Sequence, residues 1–258
     1  MNRKGVIEHI VKWLKEYSDR SGTSGFVIGI SGGIDSAVTS ALCAMTGKKV
    51  IVLNLPIKQH QNEFYRANEH ITWLQQNYPN VETYTVELTD IFKGFEKDLP
   101  VFIQDFLTMA NVRSRVRMIT LYAFATHHRL LVAGTGNKIE DFGIGFFTKY
   151  GDGGVDLSPI ADLTKTEVYD LAAEMGVVES IQKARPTDGL YADDRTDEDQ
   201  IGATYPELEW AMNYVNNNET YVLNDRQKLV MDIYKKRNAA NRHKMEPVPI
   251  CVIPKELK

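Results

Sequence analysis

Phe26-Val-Ile-Gly-Ile-Ser-Gly-Gly-Ile-Asp-Ser36 is the stretch on which the fold turns. An apolar run rich in β-branched residues stops at Ser31, two glycines follow, and a helix-compatible segment begins. That order reads as strand, tight turn and helix start. Gly32 and Gly33 can adopt positive φ and let the backbone approach a ligand closely. A helix N-terminus beyond them offers unpaired N–H groups and the positive end of a dipole, which favour an anion. Asp35 is the odd residue, because a carboxylate sits badly beside bare phosphate unless a divalent cation lies between them. The lysine of the ordinary phosphate-loop signature is missing, which argues against a Walker A kinase or GTPase. Taken alone, the stretch leaves two readings open: a phosphate-binding loop, or a glycine-rich turn between strand and helix.

Outward from this turn, the chain alternates. Residues 2–20 place Ile7, Ile10, Val11, Leu14 and Tyr17 at helical spacing, and Ser21-Gly-Thr-Ser-Gly25 breaks that helix before the strand at 26–30. The helix after the turn runs from about Ser36 to Met45, with Gly47 as its C′ residue. Lys49–Leu55, apolar but for Lys49 and Asn54, is a second strand of the kind buried on both faces of a parallel sheet. A helix over 62–77, a strand over 81–86, a long helical stretch over 100–128 opened by Pro100, and a strand over 129–134 follow. The expected fold is therefore α/β: a Rossmann-like open, mostly parallel sheet with helices on both faces, plus C-terminal helices to about residue 245. In such sheets ligands bind beyond the C-terminal strand ends, which makes neighbours of Ser31–Ser36, Leu55–Gln61 and Gly134–Glu140.

The segment 135–163 has little regular pattern and holds six of the chain's 18 glycines. Its aromatics, Phe142, Phe146, Phe147 and Tyr150, argue for a binding loop over a disordered linker. Thr164-Lys-Thr-Glu167 is a capping-box signal that opens a helix closing near Gly176. Residues 188–199 are strongly acidic (Asp188, Asp193, Asp194, Asp197, Glu198, Asp199) and read as a solvated loop in preference to a metal site.

The 258 residues suffice for one large α/β domain, and a formal charge of −4 with pI near 5.9 argues against a nucleic-acid surface. Two cysteines, Cys43 and Cys251, are too few for a disulfide framework. No apolar run approaches the ~18 residues of a membrane span, and the polar N-terminus is no signal peptide. A cytoplasmic protein without nucleic-acid or membrane partners is expected.

Ser31-Gly-Gly-Ile-Asp-Ser36, Gly134-Thr-Gly-Asn-Lys-Ile-Glu140, Gly145-Phe-Phe-Thr-Lys-Tyr-Gly-Asp-Gly-Gly-Val-Asp156, Leu163-Thr-Lys165, Pro186-Thr187 and His243-Lys244 together resemble the NAD synthetases, in their ammonia-dependent form. The first motif marks only the wider ATP pyrophosphatase superfamily; the Phe-Thr-Lys-Tyr-Gly-Asp-Gly-Gly stretch is far more specific. The resemblance spans residues 29–244 and implies a single domain over 1–258 with no glutaminase domain. It implies ATP-dependent adenylation of the nicotinate carboxylate of deamido-NAD, with release of pyrophosphate, and then displacement of AMP by ammonia.

By the same resemblance, Gly29, Ile30, Ser31, Gly32, Gly33, Ile34, Asp35 and Ser36 form the ATP-phosphate loop, and Thr135, Lys165 and Thr187 are further ATP contacts. Asp35 and Glu140 match the magnesium ligands, with Asp141 as the alternative to Glu140. Arg115, Lys149, Asp156, His243 and Lys244 match positions that hold deamido-NAD. Asp35, Lys165 and Asp156 are the residues expected to carry catalysis, and Asp156 or Asp162 to take a proton from ammonium. The resemblance also implies a homodimer through the 100–128 region, where Phe102, Phe106, Met118 and Tyr122 are consistent with an apolar face. Two other readings stand beside the ligase: another pyrophosphatase-loop ligase, such as a GMP synthetase, and a nucleotide-binding sensor without catalysis. RNA-modifying relatives would favour a basic surface or additional cysteines. A sensor would not require Glu140, Lys149 and Lys165 together with Asp35.

Overall fold

Four strands form one parallel sheet in the order β3-β2-β1-β4: β1 (Gly25–Gly29), β2 (Lys49–Asn54), β3 (Val81–Thr85) and β4 (Leu131–Val132). The computed structural model describes residues 1–58, 61–187 and 196–258. β1 lies between β2 and β4, with Gly25 opposite Lys49 and Val27 opposite both Ile51 and Val132. The strands' two-residue period then sorts their side chains. Phe26, Ile28, Val50 and Val52 face a core built with α1 (Arg3–Arg20), α2 (Ile34–Met45), α3 (Gln61–Asn77) and α6 (Lys165–Glu174). Val27, Ile51, Leu53 and Val132 face the opposite core, with α4 (Thr89–Asp98) and α5 (Phe106–His128). Burial on both faces is the reason these strands read as unbroken apolar runs. Each such side chain contributes on the order of 1.5–3 kcal/mol relative to exposure.

Beyond the sheet lie α7 (Glu179–Gln182), α8 (Asp197–Ile201), α9 (Tyr205–Asn216) and α10 (Asp225–Met245). The last three pack with Ile139 and Ile144 into a third apolar cluster, so the glycine-rich segment is pinned by its own isoleucines. Among the described residues no helix is long and apolar enough to cross a membrane.

Four expectations are revised. Pro100 does not open the long helix: it precedes a 3-10 turn at Val101–Ile103, and α5 starts after Asp105, whose carboxylate caps the Thr108 N–H at 3.0 Å. The fourth strand is shorter than 129–134, because Arg129 adopts φ 55 to close α5 and the Leu130 N–H still bonds to Ala125. The helix α4 has no counterpart in the sequence reading. Of the acidic run, Asp188, Asp193 and Asp194 lie outside the described residues, but Asp197, Glu198 and Asp199 form the first turn of α8. There Asp197 is buried and Asp199 completes a capping box with Thr196, so this end of the run is not a solvated loop.

Candidate active site

The turn after β1 is held open for a ligand. Gly32 has φ +84, and a Cβ there would come 2.6 Å from the Glu63 carbonyl oxygen, so only glycine fits. Gly33 is the N-cap of α2 and has no side chain to accept from the first turn, whose N–H groups have no intrahelical partner either. Ser36 Oγ donates to the Gly33 carbonyl at 3.0 Å and Ser31 Oγ accepts from the Gly33 N–H at 3.1 Å, which fixes the loop from within. Arg66 on α3 donates to the Gly32 carbonyl at 3.3 Å.

Asp35, in the first turn of α2, meets residues from two distant parts of the chain. Lys165 Nζ lies 2.5 Å from Asp35 Oδ2 and 3.0 Å from Glu140 Oε1, with the three side chains only 5–16% exposed. The capping box of Thr164 and Glu167 starts α6 at Lys165 and so delivers the lysine here. The Asn137 amide donates to Asp35 Oδ1 at 3.2 Å, and its oxygen caps the N–H groups of Ile139 and Glu140. Tyr205, the first residue of α9, donates its hydroxyl to Glu140 Oε1 at 2.5 Å, with its ring 4.8 Å from Lys165 Nζ.

Burial works against the charge on Lys165, but Asp35 and Glu140 outweigh it and hold the ammonium above its usual pKa. Burial likewise pushes the Asp35 carboxyl up, against the pull of Lys165. The Asp141 carboxyl is raised to about 8 by burial, with Glu140, Asp152 and Asp35 adding to the shift. It is pressed against Gly136, where a Cβ would sit 2.1 Å from Oδ2.

Asp35, Glu140, Asp141 and Lys165 line one cleft of about 690 Å³ at the C-terminal ends of β1 and β4, where the strand order reverses. Gly29, Ile30, Ser31, Gly32, Gly33, Ile34, Asp35 and Ser36 border it, as do Thr135, Glu140, Asp141, Lys165, Thr187, His243 and Lys244. Arg115, Lys149 and Asp156 are not among its lining residues. Arg115 is exposed and donates to the Lys149 carbonyl, and Lys149 Nζ donates to the His243 carbonyl at 2.7 Å. With Lys244 Nζ on the Phe147 carbonyl at 2.6 Å, these residues form one patch that joins the 147–150 loop to the end of α10. Asp156 is engaged elsewhere, accepting from the Val132 N–H at 2.8 Å and the Tyr122 hydroxyl at 3.0 Å. Asp162 pairs with Lys138 at the surface.

Some cleft residues escaped the sequence reading. Arg117 lines the cleft, donates to the Leu55 carbonyl at 3.0 Å and is lowered to about 10 by burial and the neighbouring Arg113. The spacing of two residues along Arg113, Arg115 and Arg117 shows that the three cannot all share a helix face, not which one turns inward. Asn137 and Tyr205, which do not line the cleft but bond to Asp35 and Glu140, were equally hidden. Thr204-Tyr-Pro-Glu207 is a readable capping box, but nothing local says where the tyrosine hydroxyl points.

A profile of the NAD synthase family matches residues 6–248, nearly the whole chain. The chain belongs to the NAD synthase family. An NH(3)-dependent NAD(+) synthetase from Mycoplasma genitalium is 35% identical over 240 residues, covering 92% of each chain. Among solved structures, an NMN synthetase from Francisella tularensis aligns over 99% of both chains with a TM-score of 0.83 and 29% identity. An NH3-dependent NAD synthetase from Campylobacter jejuni aligns over 98% of this chain and 100% of its own, with a TM-score of 0.80 and 25% identity. The sheet order and the cleft at the strand-order reversal are thus those of a family fold, not of a chance phosphate turn.

Proposed function

We propose that this member of the NAD synthase family is a C–N ligase that amidates deamido-NAD to NAD with ammonia and ATP, releasing AMP and pyrophosphate. In the first step a nicotinate carboxylate oxygen attacks the α-phosphorus, and the bond to the β-phosphate breaks. In the second, ammonia attacks the acyl carbon, the carbon–oxygen bond breaks and AMP leaves. The ammonium that supplies ammonia gives up a proton first.

The observation that carries the reading is the meeting of Asp35, Glu140 and Lys165 beside the uncapped α2 N-terminus. Two oxygen-donor carboxylates already hold one cation, the Lys165 ammonium, and this donor set fits magnesium. Among the described residues no group of three or more His, Cys, Asp or Glu side chains is placed to hold a metal unaided. Asp35 and Glu140 would hold the magnesium ion, which would supply charge neutralisation to the triphosphate. The α2 N–H groups and Lys165 contribute donors to the departing pyrophosphate. Thr135 and Thr187 border the same cleft and serve the nucleotide, whereas Arg115 and Lys149, joined to His243 and Lys244 at the cleft border, form the patch that serves deamido-NAD. Asp156, held between Tyr122 of α5 and the Val132 N–H of β4, completes that assignment.

Residues 1–258 act in this reading as one unit that uses free ammonia, in the cytoplasm. Exposed Val101, Phe102, Phe106, Leu107 and Ile119 support a homodimer through α5. Met118 and Tyr122 take another role, being half-buried at the cleft and beside Asp156.

A second substrate is favoured by the Francisella NMN synthetase alignment: nicotinate mononucleotide carries the same carboxylate without the adenylate half. The test is incubation with ATP, Mg²⁺ and ammonium plus either deamido-NAD or the mononucleotide. The expected result is NAD, AMP and pyrophosphate in equal amounts. A larger kcat/KM for the mononucleotide transfers the assignment to it, and no amide from either substrate in a folded, ATP-binding sample refutes the ligase.

A further inference from the structure

We infer that Tyr205 is a positioning residue that keeps Glu140 aimed at the cation site when Lys165 turns to the phosphates; this rests on the ligase reading above. Lys165 Nζ and the Tyr205 hydroxyl both bind the same oxygen of Glu140, Oε1, at 3.0 and 2.5 Å. Among the described residues Oε2 has no hydrogen-bond partner, so the two donors hold the carboxylate by one oxygen and leave the other for a cation.

The two donors are not equivalent. Lys165 is a long, flexible cation shared with Asp35, and a divalent cation arriving between the two carboxylates repels it. Tyr205 is neutral, 3% exposed, and fixed at both ends: its backbone N–H donates to Glu198 Oε1 at 2.9 Å, and its ring packs in the cluster with Ile139 and Ile144. Glu140 sits in the first turn of a short π-helix, Ile139–Ile144. Asp197 Oδ2 lies 3.4 Å from the hydroxyl, too far to compete for its proton on equal terms. The tyrosine therefore supplies the contact that persists once the ammonium has left. Outer hydrogen bonds to metal-binding carboxylates typically change metal affinity by about 10–100-fold.

The experiment compares wild type, Tyr205→Phe, Glu140→Gln and the double variant. Mn²⁺ binding is measured by electron paramagnetic resonance in the presence of α,β-methylene-ATP, with binding of the metal-free analogue and melting temperature recorded alongside. Tyr205→Phe keeps the ring and removes only the hydroxyl. The expected result is Mn²⁺ affinity weakened about 10-fold, metal-free analogue affinity within about twofold of wild type, and a double variant no weaker than Glu140→Gln. Wild-type Mn²⁺ affinity in Tyr205→Phe, or an additive double variant, overturns the proposal. So does unchanged Mn²⁺ binding in Glu140→Gln. Failure of the ligase reading is seen separately, as no amide formed by wild type. Rescue of Tyr205→Phe turnover by raised Mg²⁺ distinguishes lost positioning from general damage, and turnover that stays depressed at every Mg²⁺ concentration counts against it.

Discussion

Lys165 and Asp35 stand 130 positions apart in the chain, yet their side chains form a buried ion pair at 2.5 Å. Each occupies the first turn of its own helix, α6 and α2. For Asp35 that position suits the helix dipole; for Lys165 it is mildly unfavourable. The lysine is retained there because it faces two carboxylates, Asp35 and Glu140, that would otherwise be buried without a counter-charge.

Removing that counter-charge is costly. Lys165→Met is expected to lower stability by about 3–5 kcal/mol in the absence of divalent cation, since it leaves buried carboxylates unpaired. Adding Mg²⁺ should raise the melting temperature of the variant more than that of wild type. Equal Mg²⁺ responses would mean that the ion does not occupy the place beside Asp35 and Glu140.

Asp35→Ala removes one side of the same cluster while leaving the apolar face of α2 untouched. Adenylation, followed as AMP and pyrophosphate release, should fall at least about 100-fold with little change in the circular dichroism spectrum. AMP formation near the wild-type rate would dismiss Asp35 as a metal ligand.

At Gly32 the constraint is steric. Gly32→Ala places a Cβ against the Glu63 carbonyl oxygen at a residue with φ +84, so either the turn or the start of α3 must shift. A loss of roughly 1–3 kcal/mol is expected, with ATP binding weakened further than the stability change explains. Titration of the nucleotide at a temperature where the variant is folded separates the two effects.

The patch around Lys149 makes a different prediction. Its Nζ binds the His243 carbonyl, and Lys149 is not among the residues that line the cleft. Lys149→Ala should therefore raise KM for deamido-NAD several-fold while leaving KM for ATP within about twofold. Equal effects on both would assign the lysine to the nucleotide.

Acid sensitivity should come from His70, which does not line the cleft. The ring is fully buried, stacks on Trp73 with centroids 5.4 Å apart, and places Nε2 3.0 Å from Ser40 Oγ. Burial lowers its pKa to about 4, below the unfolded value near 6.5. The neutral ring is favoured in the folded state, so the stabilisation is complete above about pH 6.5 and is lost as pH falls towards 4. Urea midpoints measured between pH 7.5 and 4.5 should fall for wild type, by up to about 3 kcal/mol from this group. They should fall less for His70→Leu, and parallel curves would show that His70 does not set the acid limb.

Much of this molecule is local in origin. The β-branched runs at 26–30 and 49–55, the glycine turn between Ile30 and Asp35, and the capping box at Thr164–Glu167 follow from period, propensity and cap chemistry, and each appears where the sequence places it. The alternation of these elements is enough to imply a parallel sheet and a site at its C-terminal edge. Boundaries set by competition between neighbours were less legible, as where Asp105 caps α5 in place of Pro100.

Only the tertiary structure decided which polar side chains meet. Asp35, the Asn137–Glu140 segment, Lys165 and Tyr205 come from four separate stretches, and their hydrogen bonds depend on the packing of α2, α6 and α9 around the 139–144 segment. The same holds for the choice of Arg117 to line the cleft and for the burial of Asp197. Periodicity reports which face of an element is apolar, because burial acts on every residue of that face together. A hydrogen bond between distant residues is set by the relative placement of whole elements, and no local pattern carries that information.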